Sequence, residues 1–382
     1  MTKLDKLIQE LCPDGVQFLR IPELFTTRNG YTPSKANSEF WESGTIPWFR
    51  MEDIRANGRI LTEATQCVSK KAVKGRVFPE NSIIVATSAT IGEHALIKVP
   101  SLANQRFTYL VLKDEFKSSV DMMFIFYYCF KLDEYCKTHL NQGNFASVDM
   151  KQFAEFHFPV PPLPVQREIV RILDNFTELT AEFTAELTAE LTARKQQYAY
   201  YRDKLLAFGD DVPKDTLENL CDFQYGKGNS IPTAPGEYPV YGCNGVVGTT
   251  NVFNSIDAPV IGHIGSAGIV NWGKGKHFVT YNGTICKVRP EKMTSRYAYH
   301  LLCSLHLERF VKGSQPFLSY SDFAKETVAV PPLNIQQRVV SILDRFDTLC
   351  TDLSSGLPAE IEARQKQYEY YRDKLLSFEE KI

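Results

Sequence analysis

The chain has 382 residues, 43% hydrophobic and 23% charged, with a net charge of −2 and a pI near 6.4. This composition belongs to a folded chain long enough for two or three domains and excludes a disordered one. The longest apolar run (122–130) is too short to span a bilayer. The near-neutral balance weighs against a freestanding nucleic-acid binder, which carries a strong basic excess.

The opening stretch, MTKLDKLIQELCPDG (1–15), is amphipathic and lacks the long apolar centre of a secretion signal. Up to about residue 158, short β-branched runs alternate with Gly, Asn and Pro turns. Examples are TTRNGYTPSKANSEFWESGTIPWFRMEDIRANGRI and KKAVKGRVFPENSIIVATSATIGEHALIKVP, and they predict a mixed α/β (α+β) domain rich in short strands. Lys70, Lys71, Lys74 and Arg76 stand close enough to contact several phosphates, although such a run is also an ordinary solvated surface. Arg28, Arg50, Arg55, Arg59 and Arg106 sit among Gly, Asn and aromatic residues, where a guanidinium can reach guanine edges.

Next comes a first helical segment (159–208). Its apolar residues fall at Ile169, Leu173, Phe176, Leu179, Phe183, Leu187, Leu191, Tyr198, Tyr201 and Leu205, mostly in steps of three or four, which marks one helical face. The proline pair at 161–162 prevents the helix from starting earlier. Within it, TAEFTAELTAELTAR (180–194) repeats the word Thr-Ala-Glu-Leu with one Phe swap. Each word adds about one turn, roughly 6 Å. Locally this is a solvated helix of good propensity, and in the context of the whole chain it reads as a spacer.

The region 209–328 has the texture of the first domain and predicts a second mixed domain. Tyr225, Lys227, Asn229, Asn244, Lys274, Lys276, His277 and Asn282 form its candidate binding set. The last segment (329–382) repeats the helical face with Val339, Leu343, Phe346, Leu349, Leu353, Leu357, Ile361, Tyr368, Tyr371 and Leu375. Gly356 and Pro358 in SSGLP (354–358) predict a bend or short break.

The chain is a duplication. Residues 161–208 align on 331–378 at an offset of 170 without a gap, with 25 of 48 positions identical. Upstream, Gly143, Phe153 and PVPPL (159–163) fall on Gly313, Phe323 and AVPPL (329–333). Beyond that only sketches match: VQFLRIPELF (16–25) with KDTLENLCDF (214–223), and IIVATSATIG (83–92) with PVIGHIGSAG (259–268). Two helices of about 65 Å, each with one apolar stripe, pack most simply on each other as a coiled coil.

Several chemistries are missing. There is no GxxxxGK[ST] loop, no acidic glycine-rich motif for a methyl-donor cofactor, and no Asn/Asp-Pro-Pro-aromatic motif. Nine cysteines lie scattered without a CxxC pair, and the seven histidines lack metal spacing, so we read reduced thiols in a cytoplasmic protein with no catalytic centre or cofactor of its own. Two rival readings are a single-chain nuclease or methyltransferase, and a coiled-coil scaffold displaying carbohydrate- or peptide-binding domains.

The twofold PPLxxQ … ILDxF … QYxYYRDKLLxF block between two unlike mixed domains resembles the specificity subunit of type I restriction-modification systems. LIQELCPDGVQF, IPWFRMEDI and YPVYGCNGVVG look like stretches of that family's target recognition domains. The resemblance implies two target recognition domains (1–158 and 209–328), separated by two long antiparallel helices (159–208 and 329–382) with a pseudo-twofold internal repeat. It implies that each domain reads half of a bipartite, asymmetric site in double-stranded DNA, and that the helix pair sets the half-site spacing. Two methyltransferase subunits would dock on the helices to give a DNA adenine methyltransferase, which ATP-driven restriction subunits can join. S-adenosylmethionine, ATP and Mg are implied for those partners alone.

Overall fold

The computed structural model describes residues 2–141, 146–228, 235–351 and 356–381. The chain folds into two compact units, Met1–Glu182 with Arg364–Ile382, and Phe183–Ala363. Each unit therefore takes the start of one helical repeat and the end of the other.

The first unit is built on a five-stranded sheet in the order Phe25–Asn29, Phe107–Leu112, Ser82–Ala86, His94–Ile97, Ile60–Leu61. The strand Ser82–Ala86 is buried along its whole length, so its sequence, SIIVA, is almost continuously apolar instead of alternating. Its side chains still divide by period two. Ile83 and Val85 enter the core beneath helix Met122–Thr138, while Ile84 and Ala86 enter a second core with Trp48, Phe49, Phe78 and Tyr109. The first core also takes Val165, Ile169, Leu173 and Leu376, so both helical repeats close it.

The second unit has a six-stranded sheet in the order Cys221–Tyr225, Gly283–Val288, Ser255–Gly262, Val270–Val279, Tyr238–Gly242, Gly245–Thr250. Helix Ser295–Ser304 packs Tyr297, Ala298, Leu301 and Leu302 against Leu206, Val339 and Leu343.

The duplication runs through both units. A buried glutamine opens each repeat. The Gln166 side-chain oxygen accepts from the Asp121 N–H at 2.8 Å, and its amide donates to Ser119 O (2.8 Å) and Pro161 O (2.6 Å). Gln336 does the same with the Thr294 N–H (3.0 Å), Lys292 O (2.9 Å) and Pro331 O (2.9 Å). Helix Met122–Thr138 is thus the counterpart of Ser295–Ser304, an equivalence invisible in the sequence. The strand pair Phe18–Arg20 with His157–Pro159 matches Lys214–Thr216 with Thr327–Ala329. The short helices Ile21–Leu24 and Leu217–Leu220 follow, and this places Phe25 on Cys221. The sequence sketch that set 16–25 on 214–223 therefore slips by two residues. The sketch of 83–92 on 259–268 matches the fold. Gly92 N–H bonds Ala86 O (3.2 Å) as Gly268 N–H bonds Gly262 O (2.9 Å).

Within each unit the two helical repeats run antiparallel. Phe176 meets Tyr371 with ring centroids 6.2 Å apart in the first unit, and Phe346, the repeat equivalent of Phe176, meets Tyr201 at 5.7 Å in the second. The joint to the reader domain differs in chemistry. In the first unit the Tyr127 hydroxyl donates to Asp174 (2.7 Å), and Thr177 lies 3.0 Å from the Tyr368 hydroxyl. In the second, His300 bridges the Tyr198 hydroxyl (2.8 Å) and Asp344 (2.7 Å), and Arg296 pairs with Asp344 (2.6 Å) and Asp347. Burial lowers the His300 pKa below its ordinary value, so the imidazole is neutral at pH 7.

The first repeat is one helix, Leu163–Leu206, and the second is two, Leu333–Thr351 and Leu357–Leu375, in keeping with the short break expected at SSGLP. Pro358 is the second residue of the latter, where its missing N–H costs nothing. Leu353, in the expected break, lies outside the described residues. The packed face departs from the predicted stripe in its middle. Phe183 is 52% exposed and Leu179 47%, while Thr180 and Thr184, off the stripe, are half-buried like Leu187 and Leu191 on it. Leu205, Leu357, Ile361, Tyr368 and Leu375 are half-buried, and Leu206 and Leu376 occupy the deepest positions at the helix ends.

Two stability predictions follow from this packing. Replacing Gln166 or Gln336 by Leu strips partners from three backbone groups and should cost about 3 kcal/mol in urea unfolding; a change below about 0.5 kcal/mol would deny the latch. Glu168 is nearly buried, and hydrogen bonds from Arg171 and from Lys3 of helix Lys3–Leu11 pull its pKa down from 4.5 to about 2. Its stabilisation is complete above about pH 4.5 and lost as pH falls through about 2. Glu168→Gln should destabilise at pH 7, and the difference from the parent should shrink steadily in melts toward pH 2.

Candidate nucleic-acid interface

In the first unit a β-turn carries Gln105 and Arg106 at its tip, closed by Phe107 N–H to Asn104 O at 3.2 Å. The end of strand Phe25–Asn29 lies against it. Gly30 N–H bonds Phe107 O (2.8 Å), and Tyr31 N–H bonds Ala103 O (2.8 Å). Gly30 is required there, since a Cβ would sit 2.2 Å from Asn104 O. The loop after Ala86 joins through Thr87 N–H to Arg106 O (2.9 Å), and Val148 N–H bonds Thr87 O (2.9 Å).

Cations gather on this face. The Arg28 guanidinium lies 4.0 Å over the Phe78 ring and donates to Arg76 O. Lys74 donates its N–H to the Tyr31 hydroxyl (2.7 Å) and sets its ammonium over that ring at 5.7 Å. Arg28, Lys74, Arg76 and Arg106 are exposed and form no ion pair among the described residues. A cation without an internal carboxylate keeps its charge available to a phosphate.

The second unit builds the same scaffold. Gly226 N–H bonds Gly283 O (2.9 Å), Lys227 N–H bonds Val279 O (3.0 Å), and His263 N–H bonds Asn282 O (2.8 Å). Gly226 is again obligatory, with Thr280 O 2.1 Å from where a Cβ would be. The turn is closed by Gly283 N–H to Thr280 O (3.0 Å), so its tip is Tyr281-Asn282. The neighbours are aromatic instead of cationic. Tyr225 lies 4.2 Å from the His263 ring and 6.2 Å from Tyr281, and Phe317 lies 4.6 Å from His263. Lys227 and Asn244 are exposed, and Asn282 is half-buried.

The remaining candidates are placed elsewhere. Arg59 pairs with buried Asp133 at 3.1 Å and lies over Phe130 at 5.0 Å, so it stabilises the helix core and is withdrawn as a base reader. His277 is fully buried, its Nδ1 2.9 Å from Gly275 O, and it is withdrawn as well. Lys71 is held by Glu39 at 2.9 Å, next to exposed Lys70. Arg50 caps helix Met51–Asn57 beside Glu52, and Arg55 is exposed in that helix. Lys276 lies over Phe253 at 5.0 Å, and exposed Lys274 flanks Gly275. Asn229 lies outside the described residues. Sequence reasoning missed Gln105, Thr32, Tyr281 and Phe317. Their only signal was the match of 83–92 to 259–268, which, carried onward, sets Gln105 on Tyr281.

Among the described residues there is no group of three or more His, Cys, Asp or Glu able to hold a metal, and no helix is long and apolar enough to cross a membrane. All nine cysteines are free.

The family model described as type I restriction modification DNA specificity domain matches residues 13–193 and 211–363. The type I restriction enzyme EcoprrI specificity subunit of Escherichia coli is 44% identical over 377 residues, covering 93% of this chain and 92% of that protein. A putative type I specificity subunit of Mycoplasma pneumoniae is 34% identical over 258 residues, 60% of this chain and 99% of that one. Two solved structures share the fold at low identity. One is a chain from work on complex assembly and conformational transition of the type I R-M system (TM-score 0.66, 15% identity, 95% and 98% covered). The other is the HsdS subunit from Thermoanaerobacter tengcongensis (TM-score 0.50, 14% identity, 96% and 97% covered). With the family model spanning most of its length and a nearly full-length relative at 44% identity, this chain belongs to the type I restriction-modification DNA specificity family.

Proposed function

We propose that this chain is the non-catalytic, sequence-reading subunit of a type I restriction-modification complex, and that each unit reads one half of a bipartite, asymmetric site in double-stranded DNA. One observation carries the reading. Two units share a scaffold, down to an obligatory glycine and a closing turn hydrogen bond, yet present different side chains on it. A duplicated frame with unlike tips suits recognition of two unlike words.

The frame also suits paired partners. Tyr200 and Tyr370, repeat equivalents, are 60% and 62% exposed, and Lys204 and Lys374 are exposed beside them. Two identical surfaces accommodate two copies of one methyltransferase subunit. In this reading those copies bind S-adenosylmethionine and methylate adenine, and restriction subunits driven by ATP with Mg join them. Partners closing around the duplex supply further phosphate contacts, which reconciles DNA binding with a net charge of −2.

Helix Leu163–Leu206 continues through the Thr-Ala-Glu-Leu words without interruption, which supports their role as a spacer. Deleting residues 184–187 removes roughly 6 Å against about 3.4 Å per base pair. The gap between half-sites should shorten by one or two base pairs with both half-sites intact, as read by methylome sequencing of cells that co-express the modification subunits. An unchanged gap would reject the spacer. Lys74→Ala and Arg76→Ala should each weaken DNA binding by the complex and lower the log–log salt slope by about 1, whereas Arg59→Ala should leave the slope unaltered. Equal slopes for all three would remove this face from the interface.

A further inference from the structure

We infer that the equivalent turn tips at positions 105 and 281 are the points where the two half-sites are told apart, and that Gln105 reads an adenine. This deepens the DNA-reading function and rests on it.

The two turns hold corresponding places. Gly30 and Gly226 N–H bond the residue that closes each turn, and Thr87 and His263 N–H bond the carbonyl of its second tip residue. The backbone therefore delivers positions 105 and 281 to the same point of each unit. The side chains differ completely: an amide in one, a 41% exposed phenol ring in the other.

Gln105 is exposed and held. The Thr32 hydroxyl donates to its side-chain carbonyl oxygen. The turn beneath is stiffened by Arg106 N–H to the Asn104 side chain at 3.0 Å. That oxygen has a second lone pair, and the NH₂ group donates no hydrogen bond among the described residues. A fixed amide offering one acceptor and one donor matches adenine N6–H and N7 in the major groove. Arg106, its neighbour in the turn, is exposed and forms no ion pair among the described residues, so its charge is available to a phosphate. Thr32 is a positioning residue: it restricts the amide rotamer before binding and so lowers the ordering cost.

Tyr281 lacks the paired donor and acceptor of an amide. Its ring packs 6.2 Å from Tyr225 and 5.6 Å from His263 and is 41% exposed. The matching group in the major groove is the thymine methyl. The two tips thus select by different physics, hydrogen-bond pairing in one unit and apolar contact in the other.

The test uses the full complex with its modification subunits and reads the methylated motif by methylome sequencing. Gln105→Ala should relax one adenine in one half-site by about tenfold or more, with the other half-site and the gap unchanged. Gln105→Glu, which offers acceptors only, should move the preference at that base toward cytosine. Thr32→Val should soften the same base, and Tyr281→Gln should alter the opposite half-site. If Gln105→Ala and Gln105→Glu both keep the parental motif, the assignment is wrong. It is equally wrong if binding to randomised duplexes falls uniformly over all sequences while the variants melt like the parent. If the unaltered complex methylates no defined motif, the DNA-reading function itself fails, an outcome separate from either.

Discussion

A buried amide latch at the start of each helical repeat is the constraint from which the architecture follows. Prolines 161–162 and 331–332 end the preceding strand and leave backbone groups that no helix can satisfy. Gln166 and Gln336 satisfy them and, with the same side chain, the N-terminus of the helix that backs each reader sheet. Each glutamine joins reader to frame through two of its three hydrogen bonds, in a site closed to water where leaving any one unmade is costly. The reader is thereby fixed in direction as well as position.

Around that shared latch the two units diverge. The first joint sets the Tyr127 hydroxyl on Asp174 and Lys3 on Glu168, while the second balances Arg296 against Asp344 and Asp347 and uses His300 as a bridge to the Tyr198 hydroxyl. Arg296 also lies 4.9 Å over Trp272 and 4.6 Å over Tyr299, so the guanidinium is desolvated on two faces and paired on its edge. Duplication preserved the geometry and let the polar chemistry drift where either solution satisfies the same buried surfaces.

The reader surfaces follow the same logic. The interior of each sheet must be filled, so the strands are constrained. The turn tips and loop side chains touch little of the unit's own core, so they are open to change. A cationic face on one unit and an aromatic one on the other are two answers to binding a polyanion whose base edges and phosphates both lie within reach. A neutral chain suits this division, since sequence discrimination comes from a few positioned groups and not from bulk charge.

Much of this was written in the sequence. The gapless repeat of 161–208 on 331–378 announced two long helices and two separate readers, because helical periodicity and duplication are local properties that survive in one dimension. The helix stripe was legible at Ile169, Leu173 and Leu343, which the core buries fully. It failed at Phe183, because which side of a solvated helix faces its neighbour is decided by the neighbour. Of the candidate contacts, Arg28, Lys74, Arg76 and Arg106 converge only through strand pairing across distant segments, and Arg59 and His277 turn inward for partners that no spacing reveals. The equivalence of Gln105 with Tyr281 is only hinted at in the sequence, by the distant match of 83–92 to 259–268: the residues around them no longer match, and the fold keeps them in register through backbone hydrogen bonds, which carry no residue identity.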